Sequence, residues 1–139
     1  MQEVDFDKVI EQVLARDPRY PREAYLFLRD ALEHTQKQVA KQTKGVVRHV
    51  SGEELLHGIR EYALDQFGPM ALTVFDDWGI RAGEDFGEMV FNMVGARLLA
   101  KTDKDTLDDF RGVYDFDDAF RKPFLPPSRL VPGPVARVV

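Results

Sequence analysis

The chain has 139 residues, no cysteine, 44% hydrophobic and 31% charged residues, and a formal net charge of −5. Size scaling at this length buries about two-thirds of the unfolded surface, enough for one core without covalent staples, and the missing cysteines exclude thiol nucleophiles, thiolate zinc sites and disulfides together. The acidic balance argues against a dedicated duplex-DNA binder, whose affinity comes mainly from neutralising phosphates.

In chain order, Phe6, Val9, Ile10, Val13 and Leu14 fall on one stripe of a 3.6-residue period. That predicts a first helix, capped near Asp5 and stopped before Pro18. Pro21 sits where a first helical turn tolerates proline, and Ala24, Phe27, Leu28, Ala31, Leu32, Thr35 and Val39 form the inner stripe of a long second helix ending near Thr43 to Gly45. The β-branched run at 46–50 reads as an extended connector or one short strand. Ser51-Gly-Glu-Glu54 has the capping-box pattern and opens a helix with Leu55, Leu56, Ile59, Tyr62, Ala63 and Phe67 inward. Gly68-Pro69 stops and restarts the chain, and Ala71, Val74, Phe75 and Trp78 mark a short helix closed by Gly79. Phe86, Val90, Met93, Val94 and Leu98 predict the inner face of the next helix, whose apolar cover on other sides suits a central position. Leu107, Phe110 and Tyr114 suggest one further short helix weakened by Gly112, and Asp117 to Phe120 a last turn.

Five of the eight prolines lie in the final 19 residues, so the end of the chain reads as a polyproline-like tail laid over the domain by Phe124, Leu125, Leu130 and Val131. The expected architecture is all-α: a compact bundle of five or six helices in one domain over 1–120, with a Pro-rich extended tail over 121–139. The segment Lys122 to Arg129 contains a PxxP step beside basic residues, which is read as packing on its own domain rather than as a ligand for an aromatic groove. The N-terminus is acidic where an export signal is basic and then apolar. No apolar run reaches the ~18 residues of a spanning helix, because Met89 to Leu99 is interrupted by Asn92, Gly95 and Arg97. A cytoplasmic location without membrane attachment is the resulting expectation.

The chemistry-bearing patterns are sparse. Asp85-Phe86-Gly87 matches the magnesium tripeptide of protein kinases, but a Gly-rich loop and His-Arg-Asp are missing, so it reads as a helix start with Phe86 in the core. Glu54-x-x-His57 has the spacing of di-iron bundles without the second copy they need. Glu53, His57 and Glu61 stack on one solvated helix face, and His34 and His49 have no metal-ligand spacing to each other. The helix after Gly68-Pro69 carries Asp76 and Asp77 and no base, which removes a DNA-recognition helix.

Two charged patches remain. The acidic one holds Asp103, Asp105, Asp108, Asp109, Asp115, Asp117 and Asp118; no frame through it fits a calcium loop. Residues 103–118 account for the whole net charge, and the other 123 residues balance at 17 acids and 17 bases. The basic one, Lys37, Lys41, Lys44 and Arg48, sits at helical spacing near the end of the second helix, where positive charge suits the helix dipole. It offers an anion or partner patch but lacks the interleaved aromatics that stack on bases, so nucleic acid is disfavoured.

The segments Val50-Ser-Gly-Glu-Glu-Leu-Leu, Phe67-Gly-Pro-Met-Ala, Trp78-Gly-Ile and Asp85-Phe-Gly-Glu-Met-Val-Phe-Asn92 resemble a bacterial family of proteins of about this length, of planctomycete and verrucomicrobial type. The family has no assigned activity. The resemblance implies a bacterial, intracellular, stand-alone domain and transfers no functional residue. The expectation is therefore a non-enzymatic helical interaction module that binds itself or another protein, with no catalytic residue and no cofactor assigned. One alternative is a small metal-assisted or acid/base enzyme using the 103–118 segment and His57. Another is RNA or anion binding through the 37–48 stripe.

Overall fold

The computed structural model describes residues 6–44, 50–97 and 107–125. Five α-helices, α1 (Phe6–Arg16), α2 (Arg22–Gln42), α3 (Gly52–Phe67), α4 (Ala71–Asp77) and α5 (Gly83–Gly95), are followed by short turns of tighter and wider helix at Leu107–Phe110, Asp117–Arg121 and Lys122–Phe124. There is no strand among the described residues. The all-α expectation holds. The possible strand falls mainly on 45–49, outside the described residues, as do Asp5, His49 and the tail beyond residue 125.

The α2–α3 hairpin is the spine. Thr35 faces Gly58, His34 faces Glu61 and Tyr62, and Phe27 stacks on Phe67 at 5.4 Å. As α2 advances α3 retreats, so the pair is antiparallel. Gly58 permits the approach: a Cβ there would lie 1.8 Å from the Thr35 hydroxyl oxygen. Thr35, the buried polar residue of the core, satisfies its own hydroxyl by donating to the Ala31 carbonyl at 2.8 Å.

Aromatic rings fill the space between the hairpin, α4, α5 and the C-terminal turns. Phe75 is fully buried and meets Phe27, Phe86, Phe116 and Phe120 with centroids 5.1–5.8 Å apart. Edge-on and tilted pairs of this kind add about 0.5–1.5 kcal/mol each beyond area burial.

Three details depart from expectation. The fully buried stripe of α5 runs through Phe86, Met89 and Met93, with Val90 partly buried against the same core; Leu98 lies outside the described residues. Around Leu107 the chain makes one tight turn, Leu107–Phe110, instead of a helix reaching Tyr114; Gly112 at φ +67° reverses it. Beyond Phe120 the helical path continues to Phe124, since Pro123 occupies a first-turn position. Phe124, expected to cover the domain, is 44% exposed.

Candidate functional site

An acidic notch forms where the segment after residue 107 crosses the start of α3. Ser51 caps α3: its hydroxyl accepts from the Glu54 amide at 3.1 Å, and the Glu54 carboxylate accepts from the Ser51 amide at 3.0 Å. The next residue, Gly52, and Gly87 of α5 make a slot for the Phe110 ring, and Gly83 admits the Phe110 carbonyl oxygen. A Cβ on Gly52, Gly83 or Gly87 would stand 3.1, 2.6 or 2.8 Å from an atom of Phe110. With Phe110 buried to 4% exposure, its neighbours Asp108 and Asp109 are held at the surface. They line a cavity of about 570 Å³ with Ser51, Glu53, Arg111, Gly112 and Val113. Arg111 leans across one side, its Nη1 3.3 Å from Asp108 and its Nε 3.7 Å from Glu84. The notch therefore combines three carboxylates with one partly committed guanidinium, and the adjacent Leu107 is 40% exposed.

The other predicted acids are placed differently. Asp115 accepts the Asp117 and Asp118 amides at 3.1 and 3.3 Å, opening the wide turn that follows. Carboxylate oxygens of Asp115, Asp117 and Asp118 lie within 4.8 Å of one another. Asp117 is paired with Arg121, whose guanidinium pulls its carboxyl below the ordinary range, and Asp118 with Lys122. The two bases just past residue 118 thus neutralise much of the apparent acidic patch. Asp103 and Asp105 lie outside the described residues.

His57 is exposed on α3 and does not line the notch. Its ring lies 6.1 Å from that of Tyr114, whose hydroxyl donates to the Leu56 carbonyl at 2.7 Å and is pushed up by burial. The solvated face expected for Glu53, His57 and Glu61 is present: all three are exposed, and Glu61 meets His34 at 3.3 Å.

Lys37 and Lys41 are exposed on the last turns of α2, with Lys37 bridged to Glu33 at 3.1 Å; α2 ends at Gln42 and Lys44 follows it at φ +57°, so Lys44 leaves the expected helical stripe, and Arg48 lies outside the described residues. By the hairpin register Lys41 stands level with Glu53, so stripe and notch share one end of the molecule. No ion pair joins them among the described residues.

Sequence reading missed the densest polar cluster, at the corner between α1 and α2. Arg19 donates to Asp17 at 2.6 and 2.8 Å and to Glu88 at 2.8 Å. Asn92 donates to Asp17 at 2.9 Å and to the buried Tyr25 hydroxyl at 3.0 Å. Beside it, Tyr20 donates to Asp85 at 2.6 Å, while the other oxygen of Asp85 accepts the Arg81 and Ala82 amides that start α5. Arg19, against the opposing effect of partial burial and with help from Asn92, holds the Asp17 carboxyl well below the usual range; burial and the bond to Asp85 push the Tyr20 hydroxyl up. Asn92 was the signal: an amide interrupting an apolar run needs buried partners.

Set against known proteins, the chain matches no family model, no curated protein and no solved structure.

Proposed function

We propose that the chain is a non-enzymatic helical interaction module, and that the notch beside α3 receives a basic, leucine-bearing segment of a partner protein. The observation that carries this reading is the cavity walled by Glu53, Asp108 and Asp109 on backbone pinned by Phe110, with Leu107 exposed alongside. A bacterial, cytoplasmic setting accompanies the proposal.

Fluorescence anisotropy with a labelled peptide alternating Lys and Leu tests it. Binding should weaken as salt is raised and fall about tenfold in the Glu53→Lys, Asp108→Lys double variant. Affinity indifferent to salt and to both substitutions removes the proposal. Sedimentation of the unliganded chain separates a heterologous partner from a second copy.

The carboxylate trio Asp115, Asp117 and Asp118 supports a second, metal-assisted reading, in which a divalent cation displaces Arg121 and Lys122. Thermal shift with Mg²⁺, Mn²⁺ and Ca²⁺ decides it: stabilisation lost in Asp115→Asn favours the metal, and no shift at millimolar cation excludes it.

A further inference from the structure

A second cavity, of about 530 Å³, opens on the opposite end of α5, between its last turn and the last turn of α1. It is lined by Gln12, Ala15 and Arg16 from α1 and by Gly95, Ala96 and Arg97. No carboxylate among the described residues lines it, although the chain as a whole is acidic. Asp17, next to Arg16 in the chain, is held by Arg19 and Asn92. Neither Arg16 nor Arg97 has an ion-pair partner among the described residues.

The φ of Arg97 is +65°, a left-handed conformation that glycine adopts freely and other residues at a cost. Helices commonly end on glycine there. The Arg97 side chain is not required to close the helix, because the Ala96 and Arg97 amides already return to the Asn92 and Val94 carbonyls at 3.1 and 2.9 Å. Likewise the Asp17 amide returns to Val13 at the end of α1. Lys44, just past α2, has the same left-handed backbone at φ +57°, so the conformation serves to end a helix.

We propose that this groove binds a small phosphate-bearing metabolite, with the Arg16 and Arg97 guanidiniums gripping phosphoryl oxygens and Gln12 completing the wall. A guanidinium's forked donors suit phosphate oxygens. The volume lies in the range of small-molecule sites and far exceeds one phosphate ion, so the phosphate belongs to a larger ligand. A Cβ on Gly95 would meet nothing within 4 Å, so a larger side chain fits there.

Isothermal titration of the full chain with pyrophosphate, inorganic phosphate and citrate tests the assignment. Pyrophosphate should bind tightest, and more weakly as salt rises. Arg16→Gln should reduce affinity about tenfold. Arg97→Gly should do the same while raising Tm by about 3 °C, since it relieves the backbone. Gly95→Leu should fill the groove and abolish binding with the fold intact. Three results overturn the proposal: no binding at millimolar pyrophosphate, citrate bound as tightly as pyrophosphate, or Arg97→Gly that lowers Tm, which would make Arg97 a helix-end charge only.

Discussion

Two non-helical parts of the chain are fastened to α5 by opposite means. The corner between α1 and α2 is held by directional bonds: Asp17, Arg19 and Tyr20 reach Asn92, Glu88 and Asp85. The segment around residue 110 is held by shape, the Phe110 ring seated against Gly52 and Gly87 and its carbonyl oxygen against Gly83. The difference is where polar groups point. At the corner they bond to one another, with the Arg19 side chain still 53% exposed, so they are committed within the chain. In the segment the apolar anchor faces inward and leaves Asp108, Asp109 and Arg111 at the rim of a cavity, the usual way a rigid scaffold presents a recognition loop.

Substitutions at the two anchors test that contrast. Phe110→Ala empties the slot and should lower stability by about 3–5 kcal/mol. Denaturant titration measures the loss, and the same variant should lose the Lys/Leu peptide; retained peptide binding would show that the notch does not need its anchor. Asn92→Ala takes the donor from both Asp17 and the buried Tyr25 hydroxyl and should cost about 1–3 kcal/mol, with peptide affinity unchanged. The smallest effect belongs to Asp17→Asn, roughly 1 kcal/mol at neutral pH. Its signature is the acid limb. Asp17 has a folded-state pKa below its unfolded one, so its contribution is complete above about pH 4 and is lost as pH falls toward the folded value. Tm measured from neutral to acid should therefore fall more steeply in the parent than in the variant; parallel curves would remove Asp17 as the group responsible.

The helices were legible because their signals are local. Apolar spacing marks Ile10 and Val13, Phe27 and Ala31, and Leu55 and Ile59, all of them buried. The Ser51–Glu54 pattern marks a helix start that both hydrogen bonds confirm. Gly68-Pro69 and Gly79 mark ends for a similar reason, since backbone restrictions act on the residue itself. The sites were less legible. Asp108 and Asp109 were noted as charge, but what makes them walls of a cavity is the fit of Phe110 to glycines 58, 27 and 23 positions earlier in the chain. Spacing cannot report a fit between distant segments. The acidic patch was also overdrawn: counting charge over 103–118 stops short of Arg121 and Lys122, which pair with Asp117 and Asp118 one helical turn on. Arg97, read as an interruption of an apolar run, gave no hint of its left-handed backbone.

The seat of Phe110 also orders events in time. The α2–α3 hairpin joins neighbours in sequence, whereas Phe110 must find glycines on two helices already packed together, and contacts of long sequence separation form against a larger loop-closure entropy. Docking of this segment is therefore expected to be a late step of folding, and its release a smaller opening than global unfolding. A partner that grips the notch binds only the docked form and shifts this equilibrium by mass action. Amide exchange at the start of α3 would slow when that partner is bound, while exchange along the middle of α2 would stay the same.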